Sequence, residues 1–224
     1  MIGSLQRRAA LEGIGTAILV AVVVGSGIMA QRLAGGNDAL ALLGNTLATV
    51  AALGVLIQLL GPVSGAHFNP LVSIVQSLRG ALGRADCGAY VAAQLVGACA
   101  GTWLAHAMFD LPLLQTSTHA RAGLGQALSE VVATAGLLFV IVGGTRANAR
   151  GLAWLVAAWV GAGYWFTAST CFANPAVALA RSLTDTFSGI RPSDVPAFVL
   201  GQSAGAALGA LAACLIPQAR SAEQ

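Results

Sequence analysis

The chain has 224 residues, of which 57% are hydrophobic and only 8% are charged, and its mean hydropathy is +0.79. Soluble domains carry about 25% charged residues, so this chain cannot cover a water-facing surface and most of it must contact lipid. The net charge of +3 is small and dispersed, which argues against a nucleic-acid partner, and the three His and four Cys lie too far apart to indicate a metal site or a cofactor.

Six continuous apolar stretches are long enough to cross a membrane as helices, which takes about 20 residues each. Their Ala, Leu and Gly content, without alternation, argues against strands. The first stretch follows Arg7 and Arg8 but is longer than the core of a signal peptide, so we expect a retained helix. The predicted spans are 9–30, 39–60, 87–108, 123–144, 151–168 and 195–216.

The arginines predict an orientation for these spans. Six spans place both termini on one side of the membrane, and that side carries seven arginines against four on the other. The positive-inside rule therefore predicts cytoplasmic termini. The termini side has Arg7, Arg8, Arg79, Arg84, Arg146, Arg150 and Arg220, and the opposite side has Arg32, Arg121, Arg181 and Arg191.

The two halves of the chain resemble each other. Because each half contains three spans, the second copy enters the membrane upside down, and inverted repeats place their shared site near the midplane. The aligned segments, in order, are ALEGIGTAILVAVVVG (10–25) with LSEVVATAGLLFVIVG (128–143), the Asn-Pro pair at 69–70 with that at 174–175, and AYVAAQLVGACAG (89–101) with AFVLGQSAGAALG (197–209).

Each Asn-Pro pair opens an apolar segment that is too short to span, NPLVSIVQSLR at 69–79 and NPAVALARSLT at 174–184. Asn is a favoured helix N-cap and Pro suits the first helical position. Eleven helical residues rise about 16 Å, half of the hydrocarbon core. Such segments are tolerated only inside protein or beside water. Two of them entering from opposite faces would meet at the midplane, with Asn69 and Asn174 at one shared passage.

These half-helices predict a passive channel for small uncharged solutes. The stretches before them, GPVSGAHF and STCFA, should be extended and present carbonyl groups to the passage. Carbonyl acceptors and the two Asn amides would replace a solute's hydration shell, while the positive helix ends repel cations. We predict a single transmembrane channel domain over 1–224, with repeats at about 8–108 and 123–216.

These motifs resemble those of the major intrinsic protein family, the aquaporins and aquaglyceroporins. The resemblance rests on SGAHFNPL, the NPA at 174–176, the Glu-x-x-x-Thr repeats and the Gln-x-x-Gly pairs of spans three and six. It implies an all-α membrane protein with six transmembrane helices and two re-entrant half-helices, assembled as a homotetramer in the bilayer. The implied site residues are the pore signature Asn69, Pro70, Leu71, Asn174, Pro175 and Ala176, the pore lining Gly65, Ala66, His67 and Phe172, and the loop-bracing acids Glu12 and Glu130.

The filter residues depart from the family pattern. Spacing from the motifs places the filter at Thr49, Ala162, Cys171 and Val177, and the family usually has Arg where Val177 stands. This quartet lacks the aromatic residues and the charge of water-selective and glycerol-conducting members, so we predict a wide pore. It resembles the aquaglyceroporin-like channels of bacterial arsenic-resistance operons. That likeness implies an inner-membrane channel for arsenous acid, methylated arsenicals, glycerol and water.

Alternatives remain open. An ordinary water or glycerol facilitator is one, although the missing filter aromatics count against it. A proton-coupled secondary transporter would also use inverted repeats and the intramembrane acids Glu12 and Glu130. An enzyme is disfavoured, because the sequence contains no nucleophile–base pair, metal cluster or phosphate loop.

Three side chains near the predicted pore have two interpretations each. Arg181 lies one helical turn beyond Val177; it is either a displaced filter arginine or, as we favour, a residue that reaches lipid headgroups or pairs with Asp185. His67 either gates the pore with pH or simply lines it. The Cys171 thiol either reacts with thiol reagents and trivalent arsenic or packs inertly.

Overall fold

The computed structural model describes residues 3–219, so Arg220 lies outside the described residues. Within that range the chain forms eight α-helices and two short 3-10 turns and contains no strand. Five of the helices are long and apolar enough to cross a membrane. The helices are α1 Leu5–Leu33, α2 Asp38–Ser64, α3 Pro70–Leu78, α4 Arg84–Met108, α5 Leu124–Arg146, α6 Leu152–Phe166, α7 Pro175–Arg181 and α8 Val195–Ala212.

The fifth predicted span, 151–168, is shorter than expected, because α6 has only 15 residues. The helix follows Gly151, which has a left-handed φ of 70°. It ends where the backbone N–H and the hydroxyl of Thr167 both donate to the Gly163 carbonyl, at 3.2 and 2.6 Å. The chain therefore leaves the helix early and enters the loop that leads to the second Asn-Pro pair.

Matching glycines hold equivalent helix pairs together in the two halves. A side-chain carbon at Gly97 or Gly101 of α4 would overlap the α1 carbonyl oxygens of Gly13 and Ala17. In the second half, α8 lies equally close to α5. A carbon at Gly205 or Gly209 would overlap the carbonyl oxygens of Val131 and Ala135. Small residues at these positions allow the helix backbones to touch.

The short helices α3 and α7 have nine and seven residues, and both pack against α4 and α8. Each begins as predicted, with Pro at its first turn and Asn as its N-cap. The Asn69 side-chain oxygen accepts the Leu71 N–H at 3.0 Å. The Asn174 oxygen accepts the N–H groups of Ala176 and Val177 at 3.0 and 3.4 Å. Both helices thus start inside the protein and run outwards.

The loops before the two Asn-Pro pairs are not extended, so that prediction is wrong. α2 continues to Ser64, and in both loops several of the residues that follow have left-handed φ angles. The φ angles are 48° at Ala66 and Phe68, and 54° and 47° at Cys171 and Ala173. Such angles cost free energy for residues with a side chain. Hydrogen bonds from each loop to a buried acid stabilise this backbone.

Candidate functional site

Glu12 of α1 is fully buried and accepts four hydrogen bonds. One carboxylate oxygen accepts from the Ser64 hydroxyl at 2.7 Å and the His67 N–H at 2.9 Å. The other accepts from the Phe68 N–H at 2.7 Å and the Gln94 amide at 2.9 Å. Two of the four donors are backbone groups of the loop that precedes Asn69.

Glu130 of α5 has the equivalent set of partners in the second half. One oxygen accepts from the Ser169 hydroxyl at 2.5 Å and the Phe172 N–H at 3.0 Å. The other accepts from the Ala173 N–H at 2.9 Å and the Gln202 amide at 2.6 Å. Within residues 3–219 neither acid forms an ion pair, so four dipoles surround each carboxylate in place of a cation.

Each of the two asparagines donates a side-chain hydrogen bond to the loop that precedes the other. The Asn69 side-chain nitrogen donates to the Ala173 carbonyl at 2.7 Å, and the Asn174 nitrogen donates to the Phe68 carbonyl at 2.8 Å. An amide nitrogen carries two hydrogens. No second protein acceptor meets either nitrogen among the described residues, and both side chains line the central cavity. Each amide therefore keeps one N–H for a molecule in the cavity.

This cavity runs between the halves and has a volume of about 180 Å³. It extends from Gln76 and Thr145, near one mouth, past both asparagines to Arg181 near the other. A water molecule takes about 30 Å³ in the liquid, so the cavity has room for several small molecules. Its wall is mostly apolar with a few polar groups, which suits weak and transient binding.

Seven of the eight predicted lining and filter residues lie along this cavity. The lining set consists of Gly65, Ala66, His67 and Phe172, and the filter set of Thr49, Cys171 and Val177. Of the signature residues, Leu71 and Ala176 are buried behind the two asparagines, with Pro70 and Pro175 in the first helical turns.

Ala162 is the exception, because the structure does not bring it to the cavity. It is exposed and lies in an outer groove with Phe139 and Trp159. The α6 residues that line the cavity are Leu152, Val156, Val160 and Tyr164, each four residues from the next. Residues four apart share a helix face, whereas a residue midway between them points away. An aromatic side chain therefore stands beside Thr49, and the Tyr164 hydroxyl donates to the Thr49 hydroxyl at 3.3 Å.

Arg181 also lines the cavity, so the interpretation that we favoured for it is wrong. Its side chain is 2% exposed, its Nε–H donates to the Ser188 carbonyl, and its guanidinium carbon lies 3.5 Å from the centre of the Phe172 ring. Asp185 instead accepts the N–H and hydroxyl of Thr118 at 2.7 and 2.9 Å. These two hydrogen bonds hold the pKa of the Asp185 carboxyl below its ordinary value.

The two mouths have related but chemically different aromatic pairs. The His67 ring packs edge-on against Tyr90 at 5.5 Å, and Phe172 packs edge-on against Phe198 at 5.0 Å. These pairs occupy equivalent places in the two repeats. The His67 Nδ1 also lies 3.1 Å from the Ser73 hydroxyl. The mouth near α3 therefore has the more polar aromatic pair, whereas the Phe172 ring at the other mouth is covered by the Arg181 guanidinium.

Two half-helices that meet at linked asparagines, beside a lined cavity in an all-helical apolar protein, define a membrane channel. The family model for major intrinsic proteins matches residues 3–164. The chain belongs to the major intrinsic protein family. Family membership confirms the predicted fold, a multi-pass membrane protein, and a channel rather than an enzyme.

Individual relatives agree with this assignment. The chain is 59% identical over 202 residues to the aquaglyceroporin AqpS of Rhizobium meliloti, covering 90% of this chain and 86% of that one. It is 33% identical to the glycerol uptake facilitator protein-like 5 of Lactiplantibacillus plantarum over 64% of each chain. Its fold matches the aquaglyceroporin of Plasmodium falciparum with a TM-score of 0.70 and 23% identity, over 95% of each chain.

Proposed function

We propose that this protein is a broadly selective, passive channel for uncharged solutes, including water, glycerol and metalloid hydroxides such as arsenous acid, and extending to methylated arsenicals. One observation carries the proposal. Thr49, Cys171 and Val177 line the cavity together, and none of them bears a charge. The family's usual Arg, at the position of Val177, would donate hydrogen bonds and narrow the passage there. Its replacement by Val leaves room for solutes bulkier than water.

The proposed path suits a molecule with several hydroxyl groups. The free N–H of each central asparagine donates to a solute oxygen, and the Thr49 hydroxyl supplies a further polar contact. Other parts of the wall are apolar, with Val72, Val156 and Val160 among them, and favour the carbon or arsenic side of the solute. Few polar groups on a mostly apolar wall keep each stay short, which conduction requires. The high identity to a relative named an aquaglyceroporin supports this assignment.

A proposal for the membrane arrangement accompanies this function. We place the termini in the cytoplasm and the protein in the bacterial inner membrane. Arg181 is buried in the cavity, so it no longer counts among the four loop arginines on the side opposite the termini. Seven arginines then lie on the side of the termini and three on the opposite side. The bias that supports cytoplasmic termini is thereby larger than in the sequence count. The homotetramer follows from family resemblance, and the mass of the detergent-solubilised protein tests it.

An ordinary water or glycerol facilitator is the second candidate. Tyr164 and Arg181 favour it, because they restore to the cavity an aromatic ring and a cation that the predicted filter lacked. A filter with both would select smaller solutes than the broad pore that we propose.

Stopped-flow light scattering on proteoliposomes tests both candidates. Vesicles with purified protein and empty vesicles receive gradients of water, glycerol and arsenous acid in turn. Faster equilibration of all three solutes than in empty vesicles supports the broad channel. Fast water flux without arsenous acid flux contradicts it and selects the facilitator. Accumulation above the external concentration in a pH gradient would identify a proton-coupled transporter instead.

A further inference from the structure

We infer that Arg181 supplies the fixed positive charge of the pore, one helical turn outside the Val177 position, and that this displaced charge excludes cations. The inference rests on the proposed function, because a charge barrier has a role only in a conducting pore. In most members of the family a single filter arginine would both narrow the pore and exclude cations, whereas here two residues divide these roles. Pore width is set at Val177, and charge selection is set at Arg181.

The position of Arg181 follows from the geometry of α7. Four residues along a helix rise about 6 Å and return to the same face. Val177 and Arg181 accordingly line the same cavity. The guanidinium stacks on the Phe172 ring, next to Cys171 in the chain, so a solute that passes Cys171 and Val177 also passes this charge.

The side chain is held firmly in this place. Its guanidinium stacks on the Phe172 ring at 3.5 Å, and its Nε–H donates to the Ser188 carbonyl. The loop with Ser188 is tied back to α7, because the Ile190 N–H donates to the Arg181 carbonyl at 3.1 Å. Arg121 secures the same loop by donating from its Nε to the Gly189 carbonyl at 2.8 Å. A charge fixed in this way keeps its place as solutes pass.

Among residues 3–219, no carboxylate forms an ion pair with Arg181. Of the acids near this mouth, Asp185 accepts from Thr118, and the Asp194 carboxylate accepts from Arg191 and from the Arg121 N–H. Glu130 is close enough to attract Arg181 electrostatically, but its two oxygens already accept four hydrogen bonds from other groups. Arg121 adds a second cation nearby, 5.2 Å from the centre of the Phe172 ring. Two cations therefore flank the Phe172 ring, and neither forms an ion pair within residues 3–219.

The guanidinium also retains donors for a neutral solute. Arginine has five N–H groups, and Nε–H to Ser188 is the single protein hydrogen bond of this side chain within the described range. The terminal N–H groups face the cavity, where they repel cations yet offer hydrogen bonds to hydroxyl oxygens. The same side chain thus excludes one class of solute and admits the other.

Urea and guanidinium test the inference, because they have almost the same size and shape and differ in charge. Uptake of each radiolabelled solute is measured in proteoliposomes with the wild-type protein, Arg181→Leu and Arg181→Lys. A unit charge a few ångströms away in a protein wall is worth several kcal/mol, so we expect the guanidinium-to-urea uptake ratio to rise more than about tenfold in Arg181→Leu. Arg181→Lys, which keeps the charge, should stay near the wild-type ratio.

Arg32→Leu is the matched control. Arg32 also stacks on a phenylalanine, with its guanidinium carbon 5.1 Å from the Phe109 ring centre, and also donates to a carbonyl, that of Phe109 at 3.3 Å. It is exposed and does not line the cavity. Its loss should leave the ratio unchanged. An unchanged ratio in Arg181→Leu, or an equal rise in Arg32→Leu, overturns the inference.

The inference stays testable if Arg181→Leu does not fold. Guanidinium uptake as fast as that of urea in the wild type would overturn it without any variant, and the milder Arg181→Gln, which keeps hydrogen-bond donors but no charge, should raise the guanidinium-to-urea ratio if the inference holds. If urea does not pass, water flux becomes the neutral reference, and the broad-solute proposal fails while the effect of Arg181 on cation leak remains measurable. The two failures are therefore distinguishable.

Discussion

Asn69 and Asn174 each use one side chain for two tasks in the centre of the molecule. The oxygen of each amide caps its own half-helix, and the nitrogen holds the loop of the opposite repeat, at 2.7 Å for Asn69 and 2.8 Å for Asn174. The two repeats are thereby joined at the point where the solute passes. We therefore expect stability and conduction to depend on the same two residues.

Alanine at either asparagine should lower both stability and flux. The lost cap costs about 1 kcal/mol and the lost hydrogen bond between loops about 1 kcal/mol more. Thermal unfolding in detergent and glycerol flux are the measurements. Asn37→Ala is the control, because Asn37 also caps a helix, accepting the Leu40 N–H at 3.1 Å, but on an exposed turn. Equal destabilisation in Asn37→Ala and Asn174→Ala would contradict a joint between the repeats.

Replacing the buried acids should destabilise the protein without revealing proton coupling. In Glu130→Gln one of the two carboxylate oxygens is replaced by an NH2 group, which donates hydrogen bonds instead of accepting them. This group then faces two other donors, for example the Ala173 N–H and the Gln202 side-chain amide. Two unmet donors cost about 2–6 kcal/mol in total. Glu12→Gln should behave alike, and the exposed Asp38→Asn should be neutral. The readouts are folded yield and melting temperature, together with solute accumulation in a pH gradient. A well-folded Glu130→Gln protein that loses gradient-driven accumulation would support a transporter instead.

Arginine at Val177 should return the pore to the narrow form of the family. We expect arsenous acid and glycerol flux to fall at least about tenfold, the effect of about 1.4 kcal/mol of added barrier, with a smaller effect on water. Val177→Leu, which adds bulk without charge, separates the two causes. Parallel stopped-flow measurements on the three proteins check this. Unchanged uptake of the largest solute in Val177→Arg would remove Val177 from the filter.

The thiol of Cys171 should make the channel sensitive to mercurials. Cys171 is buried in the cavity wall, whereas Cys87, Cys99 and Cys214 do not line it. A metal atom on the Cys171 sulfur would block the passage, so we expect inhibition in the wild type and resistance in Cys171→Ser. The exposed Cys214→Ser should remain sensitive. Inhibition that persists in Cys171→Ser would place the reactive group elsewhere.

Local chemistry and hydropathy in the sequence determined most of the architecture. A continuous apolar run predicts a span because its backbone must bond internally in lipid. Asn followed by Pro predicts a helix start because the cap and the fixed φ angle act within a single turn. The repeated Glu, Asn-Pro and Gly positions also predicted the inverted halves. These features need no knowledge of distant neighbours.

Only the tertiary structure decided which α6 side chains face the pore. Spacing along the chain placed Ala162 in the filter, but the rotation of α6 is set by packing on its opposite face. There Trp159 fits against Gly136, where a side-chain carbon would overlap its ring, and its indole N–H donates to the Ala133 carbonyl at 2.9 Å. That contact turns Tyr164 inward and Ala162 outward.

Arg181 shows the same limit of sequence reasoning. A charged residue near the end of a short helix ordinarily reaches water or headgroups, and the local sequence offers Asp185 as a partner. The cavity position results instead from the Phe172 ring and the Ser188 carbonyl, which come from two loops on either side of α7. A local pattern determines where a helix begins, but the direction of a long side chain depends on contacts that exist only after the loops have folded around it.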